Sequence, residues 1–283
     1  MINLYQTSCI LCGSEKRKII SSFSEPDQYE SSVGIGTEDY ERHWVACSLC
    51  NFHYSTYSRD PVVLDRIYEQ VYRGQSAPWR IGSTKQIFEK VIKIPAAESE
   101  TYYRIEWIKT HIAELAEMGL VSFPSKSRTV LDIGGATGVF AHLFKDGEWS
   151  SEIVDPSEEG IFLEKEYGIP YYAQSYGLGK LEKNYDLISL IFVLEHMHDP
   201  QAMLTKVHAN LSKKSMIYIE VPDALSFEFK DHSDDIFNSC HLWMFDPKSM
   251  INLTNKCGFE MLRLQRAHTY RGHYSLMYLG IAK

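Results

Sequence analysis

Four thiols stand in two short pairs near the start of the chain, Cys9-Ile10-Leu11-Cys12 and Cys47-Ser48-Leu49-Cys50. A Cys-x-x-Cys knuckle places two thiolates on one metal ion, and two knuckles complete a tetrahedral shell. No open coordination position is implied. The expectation is therefore a structural zinc held by Cys9, Cys12, Cys47 and Cys50, folding a segment too poor in apolar residues to fold alone. His43 and His53 flank the second pair and read as surface residues rather than ligands.

A second group is the turn Asp132-Ile133-Gly134-Gly135-Ala136-Thr137-Gly138. Glycine lets the backbone pass close under a ligand and turn with positive φ into the next helix. Read for a dinucleotide, the turn needs small residues at its first, third and sixth positions, and Val139 occupies the sixth. Asp155 stands about 20 residues further on, where an acid accepts hydrogen bonds from the ribose hydroxyls of a nucleoside cofactor. The third group is Glu195-His196 with the later His241. Histidine suits proton transfer near neutral pH, so His241 and His196 are the candidate bases. Glu195 would orient a neighbour, or with His196 merely shape the start of a helix. The Tyr-x-x-x-Lys spacing of Tyr176 and Lys180 encloses Gly177 and Gly179, which disfavour the helix such a pair needs. It reads as a loop.

These residues need elements to hold them. Thr129–Ile133, Ser151–Asp155, Tyr185–Ile191 and Ser215–Val221 are short apolar runs that predict buried strands. A helix capped by Asp199-Pro200 lies between the last two. Strand, turn and helix in repetition indicate an α/β doubly wound sheet, and Phe259–Leu264 with Tyr274–Ile281 predicts an antiparallel hairpin at one edge. Upstream, the pattern predicts helices over Pro61–Tyr72, with Asp60 as cap, and over Glu98–Met118, with Tyr102, Ile105, Ile108, Ile112 and Leu115 on one face. Residues 1–58 then form the zinc-binding module, 59–126 a helical linker and cap, and 127–283 the main domain. A loop is expected at Pro124–Ser127.

The chain has 283 residues and a net charge of −8. That charge argues against nucleic acid as the partner, because phosphate binding needs clustered Lys and Arg. No apolar run reaches membrane-spanning length, and the first residues carry no basic stretch followed by an apolar one. A cytoplasmic protein with reduced thiols is expected. Cys257 reads as a small core residue.

Taken as acid-x-Gly-x-Gly-x-Gly, with Ala136 at the middle glycine, the turn resembles the first motif of class I methyltransferases. Phe192-Val193-Leu194-Glu195-His196-Met197-His198-Asp199-Pro200 resembles their Val-Leu-Glu-His…Asp-Pro segment. His241 to Pro247, followed by Cys257-Gly258-Phe259, is similar to the His-x-x-x-Phe-x-Pro…Gly-Phe ending found there. The resemblance covers roughly residues 128 to 283. It implies a Rossmann-like seven-stranded methyltransferase sheet and S-adenosyl-L-methionine as cofactor. It also implies cofactor contacts at Asp132, Gly134, Gly135, Ala136, Gly138, Asp155, Ser175 and Phe192.

A four-cysteine segment, a helical linker and such a core together resemble a family that includes sugar C-methyltransferases and methyltransferases of surface-polysaccharide pathways. The resemblance implies a small-molecule or carbohydrate acceptor. In the sugar C-methyltransferases the base lies in Tyr-x-Glu-His; here Asn238-Ser239-Cys240-His241 keeps only the histidine. Those enzymes also continue into a further domain, whereas this chain stops at Lys283. Both departures favour a sugar hydroxyl over a carbon acceptor. Rival readings are an rRNA or other nucleobase methyltransferase and a non-catalytic cofactor-binding scaffold. Base methylation uses an Asn/Asp-Pro-Pro-aromatic turn, which Phe192-Val193-Leu194-Glu195 is not. A nicotinamide oxidoreductase fails on the glycine spacing.

Overall fold

Alternation of apolar and polar residues begins early in the chain, and it builds a small sheet first. The computed structural model describes residues 8–57, 66–67, 82–123, 127–177, 185–270 and 272–283. β1 (Arg17–Phe23), β2 (Arg42–Cys47) and β3 (His53–Tyr57) pair antiparallel, and the short helix α1 (Gln28–Ser32) interrupts them. Asp27 caps α1, its side chain accepting from the backbone N–H groups of Tyr29 and Glu30.

The helix read from Pro61 to Tyr72 falls outside the described residues, apart from Arg66 and Ile67. α2 (Thr84–Val91) follows, capped by Ser83. α3 (Glu100–Glu117) starts at a Ser99 cap, and its buried face carries Ile105, Ile108, Ile112 and Leu115. That face also holds Arg104 and Trp107, which apolar periodicity alone does not place there.

Beyond residue 127 the branched aliphatic runs are too apolar to face water on either side. They form the centre of a sheet covered on both faces. Its strands are β4 (Arg128–Ile133), β5 (Trp149–Asp155), β6 (Tyr171–Ala173), β7 (Tyr185–Ile191) and β8 (Leu211–Pro222), all parallel. The two-residue β9 (Trp243–Met244) belongs elsewhere, and β10 (Phe259–His268) and β11 (Tyr274–Ala282) complete the sheet as an antiparallel hairpin. The order β10-β11-β8-β7-β4-β5-β6 makes seven strands.

Helices α4 (Val139–Phe144), α5 (Phe162–Tyr167), α6 (Pro200–Ala209), α7 (Ser226–Phe229) and α8 (Pro247–Lys256) connect them. Strand period divides the core between the two faces. Leu187 and Met216 pack with Ile108 and Leu115 of α3, while Ile188 and Ile217 pack with Leu204 of α6 and Leu253 of α8.

β9 pairs with β3, so the fourth strand of the N-terminal sheet comes from the far end of the chain. Phe52 stacks on Trp243 at 5.8 Å between ring centroids, and the Trp243 indole donates to the Met197 carbonyl at 2.6 Å. Cys9, Phe52 and Tyr54 share one apolar cluster with Leu131 and Ile217 of the large sheet. The two sheets are therefore packed as one body. His53, expected at the surface, is buried with its ring stacked on Phe227.

Candidate active site and metal centre

Each Cys-x-x-Cys knuckle closes on a residue with positive φ directly after its second cysteine, Gly13 (φ 73°) and Asn51 (φ 60°). Their N–H groups return to the carbonyls of Cys9 at 2.7 Å and Cys47 at 2.9 Å. Glycine and asparagine are the residues that tolerate this left-handed backbone. The turns aim the thiols at one point: Cys9 and Cys50 lie 3.5 Å apart at sulfur, as do Cys12 and Cys47. All four sulfurs fall within 4.8 Å of one another, and none is in a disulfide. Bonds of about 2.3 Å at tetrahedral angles would separate sulfurs by about 3.8 Å, so the donor set suits zinc. Burial raises the Cys47 thiol, but the N–H groups of Cys50 and Leu49 and the Cys12 thiol outweigh it and bring it to about 7.

The glycine turn leaves the C-terminal end of β4. Gly134 (φ 70°) and Gly138 (φ 76°) need their positive φ, and a Cβ at Gly134 would come within 2.7 Å of Val193. Ala136 occupies the same left-handed region at φ 37°, uncommon outside glycine. Its N–H donates to the Asp155 carboxylate at 3.0 Å, and Ser157 N–H donates to the other oxygen at 2.9 Å. Asp155 is fully buried at the end of β5, beside the turn. Asp132 is buried too; burial pushes its carboxyl up to about 7, against a 2.7 Å hydrogen bond from Ser189. Phe192 follows β7 with φ 53°, a strained conformation of the kind that collects at functional sites. Thus the turn, Asp155 and Phe192 gather at the C-terminal ends of three neighbouring parallel strands, the rim where ligands bind in open α/β sheets. Ser175 lies one strand further out, exposed beyond β6.

A 3-10 turn at Leu194–His196 carries Glu195 and His196 from the same rim. His241 arrives from the loop before β9, and its ring centroid lies 4.9 Å from that of His196. Nδ1 of His196 contacts the Cys240 carbonyl at 2.8 Å, and Nδ1 of His241 the Ile236 carbonyl at 2.7 Å. A carbonyl only accepts, so Nδ1 carries a hydrogen in both rings. Burial lowers the His241 pKa and keeps its ring neutral. Glu195 is fully buried, and burial raises its carboxyl well above the usual range.

A cavity of about 240 Å³ opens beside this group, with Phe192, Glu195, His241, Glu100, Asp235 and Thr269 among its walls. A neighbouring cavity of about 250 Å³ shares Glu100 and Thr269 and reaches Arg104 and Glu220. Those two form a buried ion pair, Nη2 to Oε1 at 3.0 Å, between α3 and β8.

The loop that presents His241 is held by α1 and the N-terminal sheet. Arg42 Nη1 donates to the Phe237 carbonyl at 2.7 Å, and Tyr29 to the Asp235 carboxylate at 2.7 Å. Asp27, besides capping α1, accepts from the Ser239 hydroxyl at 3.0 Å. Sequence reasoning missed these supports.

Similar solved structures include an S-adenosylmethionine-dependent methyltransferase from Clostridium acetobutylicum, at 11% identity and a TM-score of 0.49, covering 70% of this chain and 98% of that one. The N-methyltransferase NodS from Bradyrhizobium japonicum, in complex with S-adenosyl-L-homocysteine, has 11% identity and a TM-score of 0.46 over 71% of this chain and 99% of that one. The 1,6-didemethyltoxoflavin-N1-methyltransferase of Burkholderia thailandensis has 19% identity and a TM-score of 0.47 over 74% and 93%. No curated protein matches the chain. The family model described as a methyltransferase domain matches residues 103–264, more than half of the chain and spanning α3 through most of β10. By that match the chain belongs to the methyltransferase-domain family and is an enzyme of methyl transfer.

Proposed function

We propose that this enzyme transfers the methyl group of S-adenosylmethionine to a hydroxyl of a sugar or sugar nucleotide, with His241 as the base. When bound, the cofactor supplies a methyl on a sulfonium, which leaves without its bonding electrons. The turn Gly134–Gly138, Asp132, Asp155 and Phe192 form its cradle at the rim, with Ser175 at the outer edge. Cys9, Cys12, Cys47 and Cys50 hold a structural zinc in the N-terminal module, and residues 127–283 carry the chemistry.

The observation that carries this reading is the tautomer of His241. Its Nδ1–H is tied to the Ile236 carbonyl, so the Nε2 lone pair belongs to a ring that lines the cavity beside Phe192. A neutral buried imidazole accepts the hydroxyl proton as the oxygen bonds the incoming methyl, and orientation supplies much of the rest of the rate. His196 does not line that cavity and serves as the neighbour that packs the His241 ring. Carboxylates of Glu100 and Asp235 and the Thr269 hydroxyl suit a polyol. Among the described residues, no charge-neutralising lysine stands in the walls for a nucleic-acid backbone.

A panel of sugar nucleotides with labelled cofactor tests the acceptor. His241→Ala should then cut turnover by about 10²–10⁴-fold with cofactor affinity nearly unchanged. Label on RNA and on no carbohydrate would sink the acceptor assignment. Unchanged turnover in His241→Ala would remove the base.

A further inference from the structure

Glu195, His196 and His241 bring three candidate ligand atoms together from two loops. Each Nδ1 hydrogen is committed to a backbone carbonyl, which leaves Nε2 as the ligand atom each ring can offer. Glu195 Oε1 stands 3.9 Å from His196 Nε2, too far for a hydrogen bond. Neither carboxylate oxygen of Glu195 accepts a hydrogen bond from any described residue, although the side chain is fully buried. The three ligand atoms lie within 4.8 Å of one another. A buried carboxyl without a hydrogen-bond partner is costly. A cation at the centre turns that cost into a bond.

We infer that Glu195, His196 and His241 form a second metal site, which takes a divalent first-row transition ion and offers its remaining positions to the acceptor cavity. Two imidazoles and one carboxylate are borderline donors that suit manganese, iron, cobalt or zinc, unlike the four thiolates of the N-terminal module. Ligands at about 2.1 Å from such an ion stand roughly 3–3.5 Å apart, so the trio, now within 4.8 Å, draws closer on binding. The carbonyl hydrogen bonds at Nδ1 are the support that metal-ligating histidines ordinarily have. Cys240 and Ile236, which supply those carbonyls, sit in the loop that Arg42 and Asp27 hold in place.

This inference rests on the preceding reading of the cavity as the acceptor site, and changes what the two lone pairs hold. An ion held there would offer an open position to the acceptor hydroxyl and make it more acidic, so that its proton would leave through the cavity to solvent while the oxygen keeps the electron pair that bonds the methyl. Without the ion, His241 takes that proton.

The test is a titration of Mn²⁺ into the zinc-loaded full-length protein, followed by the electron paramagnetic resonance of free Mn²⁺ and repeated with Co²⁺ by its visible spectrum. About one ion per chain should bind in addition to zinc, with a cobalt spectrum free of thiolate bands. Glu195→Gln and His196→Gln should weaken it at least tenfold while zinc content stays the same, which reports an intact N-terminal module. No uptake of either ion, or uptake indifferent to both substitutions, overturns the site. If no ion binds yet His241→Ala abolishes turnover on a sugar, the metal site falls and the base stands. If the ion binds at this trio and no carbohydrate is methylated, the metal site stands and the acceptor reading falls.

Discussion

The carboxylate of Asp155 accepts the backbone N–H of Ala136 at 3.0 Å, so the acid that ends β5 holds the turn that leaves β4. One side chain thus links the position proposed for the cofactor's ribose with the glycine turn of the proposed cradle. Asp155→Ala should weaken S-adenosylmethionine binding by about 2–3 kcal/mol, as the loss of hydrogen bonds to a charged group does. Calorimetric titration of the two proteins measures it. Equal affinity with an intact fold would place the ribose contact elsewhere.

Protein purified without added metal should carry about one tightly held zinc per chain. Cys12→Ser should remove most of it and lower the melting temperature, because a metal bound only by the folded chain adds its binding free energy to folding. Elemental analysis beside thermal melting decides the matter. Zinc-free wild-type protein that melts at the same temperature as Cys12→Ser would end the assignment.

Asp132 makes stability depend on pH in a fixed direction. Its native carboxyl, pushed up by burial to about 7, keeps its proton where the unfolded carboxyl, with a pKa of about 4, has lost it. Between those values the unfolded chain binds fewer protons, so this residue's contribution to stability falls as pH rises through about 4 to 7. The full cost, up to roughly 4 kcal/mol, is present above the native value. Asp132→Asn should therefore melt later than wild type at pH 8, with the gap closing towards pH 4. A gap that does not change with pH would show that Asp132 titrates normally.

Arg104 and Glu220 tie α3 to β8 in a buried pair, supported by the Tyr218 hydroxyl on Glu220 at 2.7 Å. Removing one partner leaves an uncompensated buried charge. Arg104→Ala should destabilise the fold by about 3–5 kcal/mol in urea denaturation. A loss below about 1 kcal/mol would mean that water reaches Glu220 and the pair counts for little.

What the sequence determines by itself is local. The doubly wound sheet is legible because buried strands and glycine turns follow one another within a few residues, and β4, β5, β7 and β8 form where apolar runs predict them. Caps are equally local: Asp199 accepts from Ala202 N–H at 2.8 Å one turn into α6. The cysteine knuckles belong to the same class, since each is a single turn that orients its own two thiols. Tertiary structure alone decides what is brought together across long separations. Nothing near Trp243 indicates that β9 completes the N-terminal sheet, and nothing near Asp27 or Arg42 indicates that they hold the loop of His241. His196 and His241 are legible as histidines of a shared rim, but their 4.9 Å approach and the burial of Glu195 beside them depend on how two loops pack. Arg104 has the same origin. A charge on the buried face of a helix contradicts local patterning, and it is tolerated there because Glu220 meets it from β8. Periodicity and spacing report on neighbours in the chain, whereas desolvation and pairing are set by neighbours in space.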